Sequence, residues 1–134
     1  MPDSNLYDER IMQAVDQAQQ VMAAHMAALN ARDEPGLNAT LHFPHHRLSG
    51  GLLKTWAGPG EYLRDFQGRT TGDWHHSAWD KLDVVAASRD KVHLNVQFTR
   101  YREDDSVIGI FRSMWVISLL AGRWAAQLRS SFAA

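Results

Sequence analysis

The residues best equipped for proton chemistry are three clustered histidines, a later pair, and one aspartate nearby. His42, His45 and His46 surround a proline in "LHFPHHRLSGG", His75 and His76 close "DWHH", and Asp80 follows four residues on. A neutral imidazole serves as a base or a metal ligand near neutral pH. A carboxylate withdrawn from water holds a proton more readily and can transfer it. A zinc site needs three or four ligands converging at fixed spacing, and neither H-E-x-x-H nor any cysteine occurs. His45 and His46 are adjacent, as are His75 and His76, so each pair points to opposite sides of an extended segment. At most one of each pair enters a common cavity. The expectation is no metal and no cofactor, with His42 or His76 assisting a proton transfer and the other histidines serving as walls.

These side chains need elements to hold them. Ile11, Val15, Ala18, Met22, Met26 and Leu29 recur at three- and four-residue spacing, which predicts a helix from about Leu6 to Arg32. Pro35 can open a short second helix through Thr40, and Pro59 a third that places Tyr62, Leu63 and Phe66 on one side. The segment "KVHLNVQFTRYR" alternates Val92, Leu94, Val96 and Phe98 with polar residues, the period of a sheet with one dry face. Three further strands, "HHSAWDKLDVVAA", "SVIGIFRSMWVISLL" and "RWAAQLRSSF", are joined by turns of hairpin length. An edge hairpin around "HRLS" and "LLKTW" turns at Gly50-Gly51. The expected fold class is α+β, a cone of three N-terminal helices packed on a curved antiparallel sheet. Its order is helix, helix, hairpin, helix, meander, in one domain over residues 1–134.

Composition narrows the function classes. The 134 residues carry 14 basic and 15 acidic side chains, a formal charge of −1 without a basic stripe, so no nucleic-acid partner is expected. The absence of cysteine removes disulfides and thiol nucleophiles. The polar start "MPDSNLYDER" leads to the expectation of no membrane segment and a cytoplasmic address. "GPGEYL" has Leu63 where a phosphate loop needs glycine and reads better as a helix start. Ser130 and Ser131 lie in no nucleophile elbow.

The element order, "HFPH" followed by the "GG" hairpin and "LLKTW", "RY" before an acidic turn, and the terminal "RWAAQLRSSF" resemble the nuclear transport factor 2-like superfamily. The similarity is greatest to its polyketide-cyclase-like and ketosteroid-isomerase-like branch and runs from about residue 8 to 132. The resemblance implies a cystatin-like cone with an apolar cavity between helices and sheet, usually in a homodimer. It implies no particular reaction, because the superfamily includes isomerases, dehydratases, epoxide hydrolases and binding subunits. No residue here stands at a diagnostic catalytic motif of ketosteroid-isomerase-like enzymes, so no role is carried over.

Hairpin register predicts which side chains share the dry face. Closing "EDDS" with Arg102 opposite Val107 sets Val92, Leu94, Val96 and Phe98 against Ile117, Trp115, Ser113 and Phe111. Leu120 opposite Arg123 extends that wall into Trp124, Ala126, Leu128, Ser130 and Phe132. Ala87 opposite Lys91 places Leu82 against Val96 and Asp80 against Phe98. Asp80 is then the candidate base, with His42 or His76 assisting. Tyr62, Phe98, Arg100, Ser113, Trp115 and Ser130 are the ligand-binding candidates. The competing assignment makes Asp80 and Arg100 a structural ion pair. The other sheet face carries Tyr101, Arg112, Met114, Val116, Gln127 and Arg129, a mixture suited to a homodimer interface. The sequence thus points to a cofactor-independent isomerase, cyclase or dehydratase acting on a small, largely apolar molecule. The alternative is a non-catalytic ligand-binding or dimeric assembly module.

Overall fold

Local capping chemistry starts the first two helices. Asp8 accepts a hydrogen bond from Arg10 N at 2.8 Å and opens α1 (Glu9–Asn30), and Asp33 accepts from Gly36 N at 3.1 Å and opens α2 (Glu34–Ala39). The computed structural model describes residues 8–70 and 72–133. The expected helix start at Leu6 lies outside them. Strands β1 (Leu41–Ser49) and β2 (Leu52–Trp56) form a hairpin whose Gly50 and Gly51 take φ of 59° and 78°, a backbone that glycine adopts without a Cβ penalty. Helix α3 (Tyr62–Thr70) buries Tyr62 and Phe66. The meander follows as β3 (His76–Ala87), β4 (Lys91–Tyr101), β5 (Val107–Leu120) and β6 (Arg123–Ser131).

These six strands form one sheet in the order β2-β1-β6-β5-β4-β3. The element order is the expected one, with α1 and α2 before the sheet and α3 between β2 and β3. One detail differs: the sheet is mixed, because β1 runs parallel to β6. Thr40 explains that pairing: its carbonyl accepts from Ala126 N at 2.8 Å, so the chain leaving α2 enters the sheet beside β6 and in its direction.

The β4–β5 register agrees with the sequence reading at all four dry-face pairs, Val92–Ile117, Leu94–Trp115, Val96–Ser113 and Phe98–Phe111. Bulges overturn the parity elsewhere. On β3, Trp79 faces Phe98 and Lys81 faces Gln97, which leaves Asp80 as the extra residue. Trp79 and Ser77 therefore turn inward and Asp80 outward. On β6, Ala126 faces Ile117 and Leu128 faces Val116, so Gln127 is extra. Arg129 and Ser131 turn inward, and Leu128 and Ser130 outward, the reverse of an unbroken alternation. Phe132, expected on the dry wall, is 84% exposed.

Helix α1 lays Ala14, Ala18, Met22, Met26 and Leu29 on the dry face of the sheet. Met22, Leu37, Leu41, Leu94 and Ile117 are wholly enclosed. Each such side chain contributes about 1.5–3 kcal/mol by leaving water. No helix among the described residues is long and apolar enough to cross a membrane.

Candidate functional site

Between α1, α3 and the dry face the core opens into a cavity of about 40 Å³. His25, Met26 and Leu29 of α1 cover it, Tyr62, Phe66 and Arg69 of α3 close one side, and Phe98, Arg100, Ser113 and Trp115 form the floor. Arg47 enters from β1, Ser77 and Trp79 from β3, and Arg129 and Ser131 from β6. Of the ligand-binding residues expected from sequence, Tyr62, Phe98, Arg100, Ser113 and Trp115 meet here. Ser130 does not, since the β6 bulge turns it to the outer face.

None of the three expected catalytic side chains lines the cavity. Asp80 is exposed on the outer face, where it accepts from Thr99 Oγ1 at 2.7 Å and Gln97 Nε2 at 3.4 Å. It is therefore neither a cavity base nor the partner of Arg100. His42 is buried beside β5 with Nε2 2.9 Å from the Ser118 carbonyl oxygen, and Arg123 Nη2 lies 3.5 Å from its Nδ1. His76 lies half-buried at the start of β3, stacked on Tyr101 at 4.9 Å and with Nε2 3.3 Å from Asp105 Oδ1. As expected, His45 and His46 diverge: His45 is fully buried and His46 reaches Thr55 at the sheet edge. Among the described residues no group of three or more His, Asp or Glu side chains gathers as metal ligands would.

Sequence reasoning overlooked His25. It stands on the apolar stripe of α1, one residue from Met26, and is 2% exposed. Thr40 Oγ1 donates to the Leu37 carbonyl at 2.8 Å, so its oxygen accepts from His25 Nδ1 at 2.8 Å. That fixes the tautomer with the proton on Nδ1 and a lone pair on Nε2. No described residue hydrogen-bonds Nε2. Burial, then the charges of Arg129 and His45, hold this imidazole well below the ordinary histidine range, so it is neutral at physiological pH. Deeper still, His45 donates through Nδ1 to the Ala126 carbonyl at 3.0 Å while Nε2 is buried without a partner. Burial first and Arg129 second lower its pKa to about 3.

The arginines are the larger surprise. Arg47, Arg69, Arg100 and Arg129 all line the cavity, and no carboxylate stands among its described lining residues. Burial first, and one another's charge next, lower Arg47, Arg69 and Arg100 to about 10. Aromatic faces lie against two of these cations: Arg129 lies 4.6 Å from the Trp115 ring centroid, and Arg100 lies 4.8 Å from that of Phe111. Gly109 makes room for the second contact, since a Cβ there would come within 2.7 Å of the Phe111 ring. Of the four, only Arg100 was legible from sequence, through its parity with Phe98. Arg129 was hidden by the bulge, Arg47 by its place in a strand taken as a short edge piece, and Arg69 by its place at the end of a helix of which only Tyr62, Leu63 and Phe66 were assigned a side.

No family model matches the chain, and neither does any curated protein. Many solved structures do. A protein of unknown function with a cystatin-like fold from Nostoc punctiforme superposes with a TM-score of 0.72 at 13% identity, covering 90% of each chain. A ketosteroid isomerase-like protein from Erwinia carotovora atroseptica gives 0.68 at 16% identity over 94% of this chain and 97% of its own. A hexachlorocyclohexane dehydrochlorinase, LinA type 2, gives 0.66 at 16% identity over 94% and 88%. The chain thus has the nuclear transport factor 2-like, cystatin-like fold that the sequence resemblance implied.

Proposed function

We propose that this chain is a small-molecule cavity protein of the isomerase type that moves a proton on its ligand, with His25 as the base. The observation that carries this reading is His25 itself: a neutral imidazole, its tautomer set by Thr40, presenting Nε2 to an aromatic-walled cavity. Nε2 takes a proton from a carbon beside a carbonyl, and the released electron pair moves onto the carbonyl oxygen. Tyr62 suits that oxygen, because it accepts from Arg129 Nη1 and keeps its own hydroxyl proton to donate. Return of the proton from His25 to a different carbon completes an isomerisation. The likeness to ketosteroid isomerase-like and dehydrochlorinase structures supports the reaction type and leaves the substrate open.

Deuterium exchange tests this reading. Small carbonyl compounds are incubated with the protein in D2O and followed by proton NMR. Enzyme-dependent loss of the signal of the proton next to the carbonyl is expected, and its abolition in His25→Asn, whose amide keeps the bond to Thr40 and lacks Nε2. Exchange at the wild-type rate in that variant would remove His25 from the role. A second reading, a binding module without catalysis, is favoured by the depth of the His25 depression, which makes it a weak base while the cavity is empty. The outer sheet face, with Tyr101 and Met114 near Arg112, fits a homodimer interface. Sedimentation at monomer mass at micromolar concentration would remove that proposal.

A further inference from the structure

The hydrogen-bonding groups of the cavity are almost all of one kind. Trp115 Nε1 donates to Ser113 Oγ at 3.0 Å, Trp74 Nε1 to Ser77 Oγ at 2.8 Å, and Ala133 N to Ser131 Oγ at 3.1 Å. Arg129 Nη1 likewise donates to Tyr62 Oη. All four hydroxyls therefore accept an N–H, and none donates to any described residue. Their protons point to unmet acceptors. Guanidinium groups add donors and no acceptors. Arg69 hydrogen-bonds no described residue and its Nε is buried; it lies 5.5 Å from the Phe66 ring centroid and feels the Asp65 carboxylate only through space. Arg47 spends Nη2 on the Ala133 carbonyl at 2.6 Å and pairs with no carboxylate among the described residues. Among the described lining side chains, His25 Nε2 is the one acceptor without a partner.

A cavity rich in donors, with Arg47, Arg69 and Arg129 and no carboxylate among its described lining residues, calls for a ligand that only accepts and carries negative charge. We propose that the ligand is a small organic carboxylate, bound by the guanidiniums of Arg47, Arg69 and Arg129 and by the serine hydroxyls of the floor. The proposal deepens the cavity reading above and narrows its substrate class from the largely apolar molecule expected from sequence. Planar guanidiniums match a carboxylate in two-point geometry. The aromatic walls of Phe66, Trp79, Phe98 and Trp115 cover a flat organic body, which inorganic phosphate lacks. Burial is the chief cause of the His25 depression and the Arg129 charge the second, and a carboxylate beside Arg129 offsets the second.

The test measures binding apart from turnover. Acetate, pyruvate and benzoate are titrated against the full chain by calorimetry at constant ionic strength, with acetamide, benzamide and inorganic phosphate as comparisons. At least one carboxylate is expected to bind tenfold or more tightly than its amide, and Arg69→Gln to weaken it by about tenfold, the weight of one charge-assisted contact. Arg64→Gln, an exposed change on the same helix, is expected to leave affinity unaltered. Equal binding of acid and amide, no carboxylate binding, preference for phosphate, or undiminished affinity in Arg69→Gln would each overturn the proposal. His25→Asn separates the two claims: retained carboxylate binding with lost exchange supports both. Tight carboxylate binding without exchange in the wild type leaves the ligand class standing and sinks the base.

Discussion

The two faces of the sheet hold similar polar residues and use them in opposite ways. On the outer face donors meet acceptors locally: Asp80 accepts from Thr99 and Gln97, and Ser118 Oγ donates to Gln127 Oε1 at 3.1 Å. Lys81, Asp83 and Arg112 line one groove there, so both signs of charge share it. On the inner face four arginines and four hydroxyls share a cavity whose described lining contains no carboxylate. Water can satisfy the outer face, whereas on the inner face Arg47, Arg69 and the hydroxyls hold donors that the proposed carboxylate would accept from. That difference is what favours the inner face as the ligand side in the reading proposed above.

Acid should reveal that contrast most strongly. An imidazole with a folded pKa near 3 and an unfolded value near 6.5 contributes its full stability above pH 6.5 and loses it as pH falls toward 3. For His45 that amounts to about 5 kcal/mol, and His25 acts in the same direction. Urea unfolding followed from pH 7 to pH 3.5 should show a steep decline that His45→Asn flattens, and a pH-independent midpoint would contradict the burial assigned to both rings.

Packing comes next. Trp115→Ala removes the ring on which Arg129 lies and should cost about 3–5 kcal/mol in denaturant unfolding. Its half-buried outer neighbour Met114→Ala should cost on the order of 1 kcal/mol, and equal losses would erase the distinction between the faces. Asp80→Asn should lower stability by about 1 kcal/mol through the weakened Thr99 contact while carboxylate affinity stays within twofold. A large loss of affinity there would return Asp80 to the site. The smallest effect is also the most diagnostic. Arg69→Met should raise the melting temperature of the ligand-free protein, by roughly 0.5 kcal/mol of stability, because an apolar stem replaces a half-buried cation among other cations. Lys81→Met, exposed on the outer face, should change nothing measurable.

Periodicity alone determined a good deal of this protein. The α1 stripe, the "GG" hairpin and the β4–β5 register follow from spacings of 3.6 and 2 that any chain burying one face must obey. Tyr62, Phe98, Arg100, Ser113 and Trp115 were legible for that reason. A bulge breaks the period by one residue and has no signature in composition. The single extra residues at Asp80 and Gln127 therefore moved Asp80 and Ser130 out and brought Trp79, Arg129 and Ser131 in. His25 carries a different lesson: on an apolar stripe a histidine reads as wall, and only the approach of Thr40 from the end of α2 sets its proton on Nδ1. That arginines from β1, α3, β4 and β6 meet in one cavity was decided by the parallel docking of β1 on β6 and by the β6 bulge. Charge balance along the chain is a sum over residues, while charge imbalance in a cavity depends on which side chains share it, and only the tertiary structure selects those.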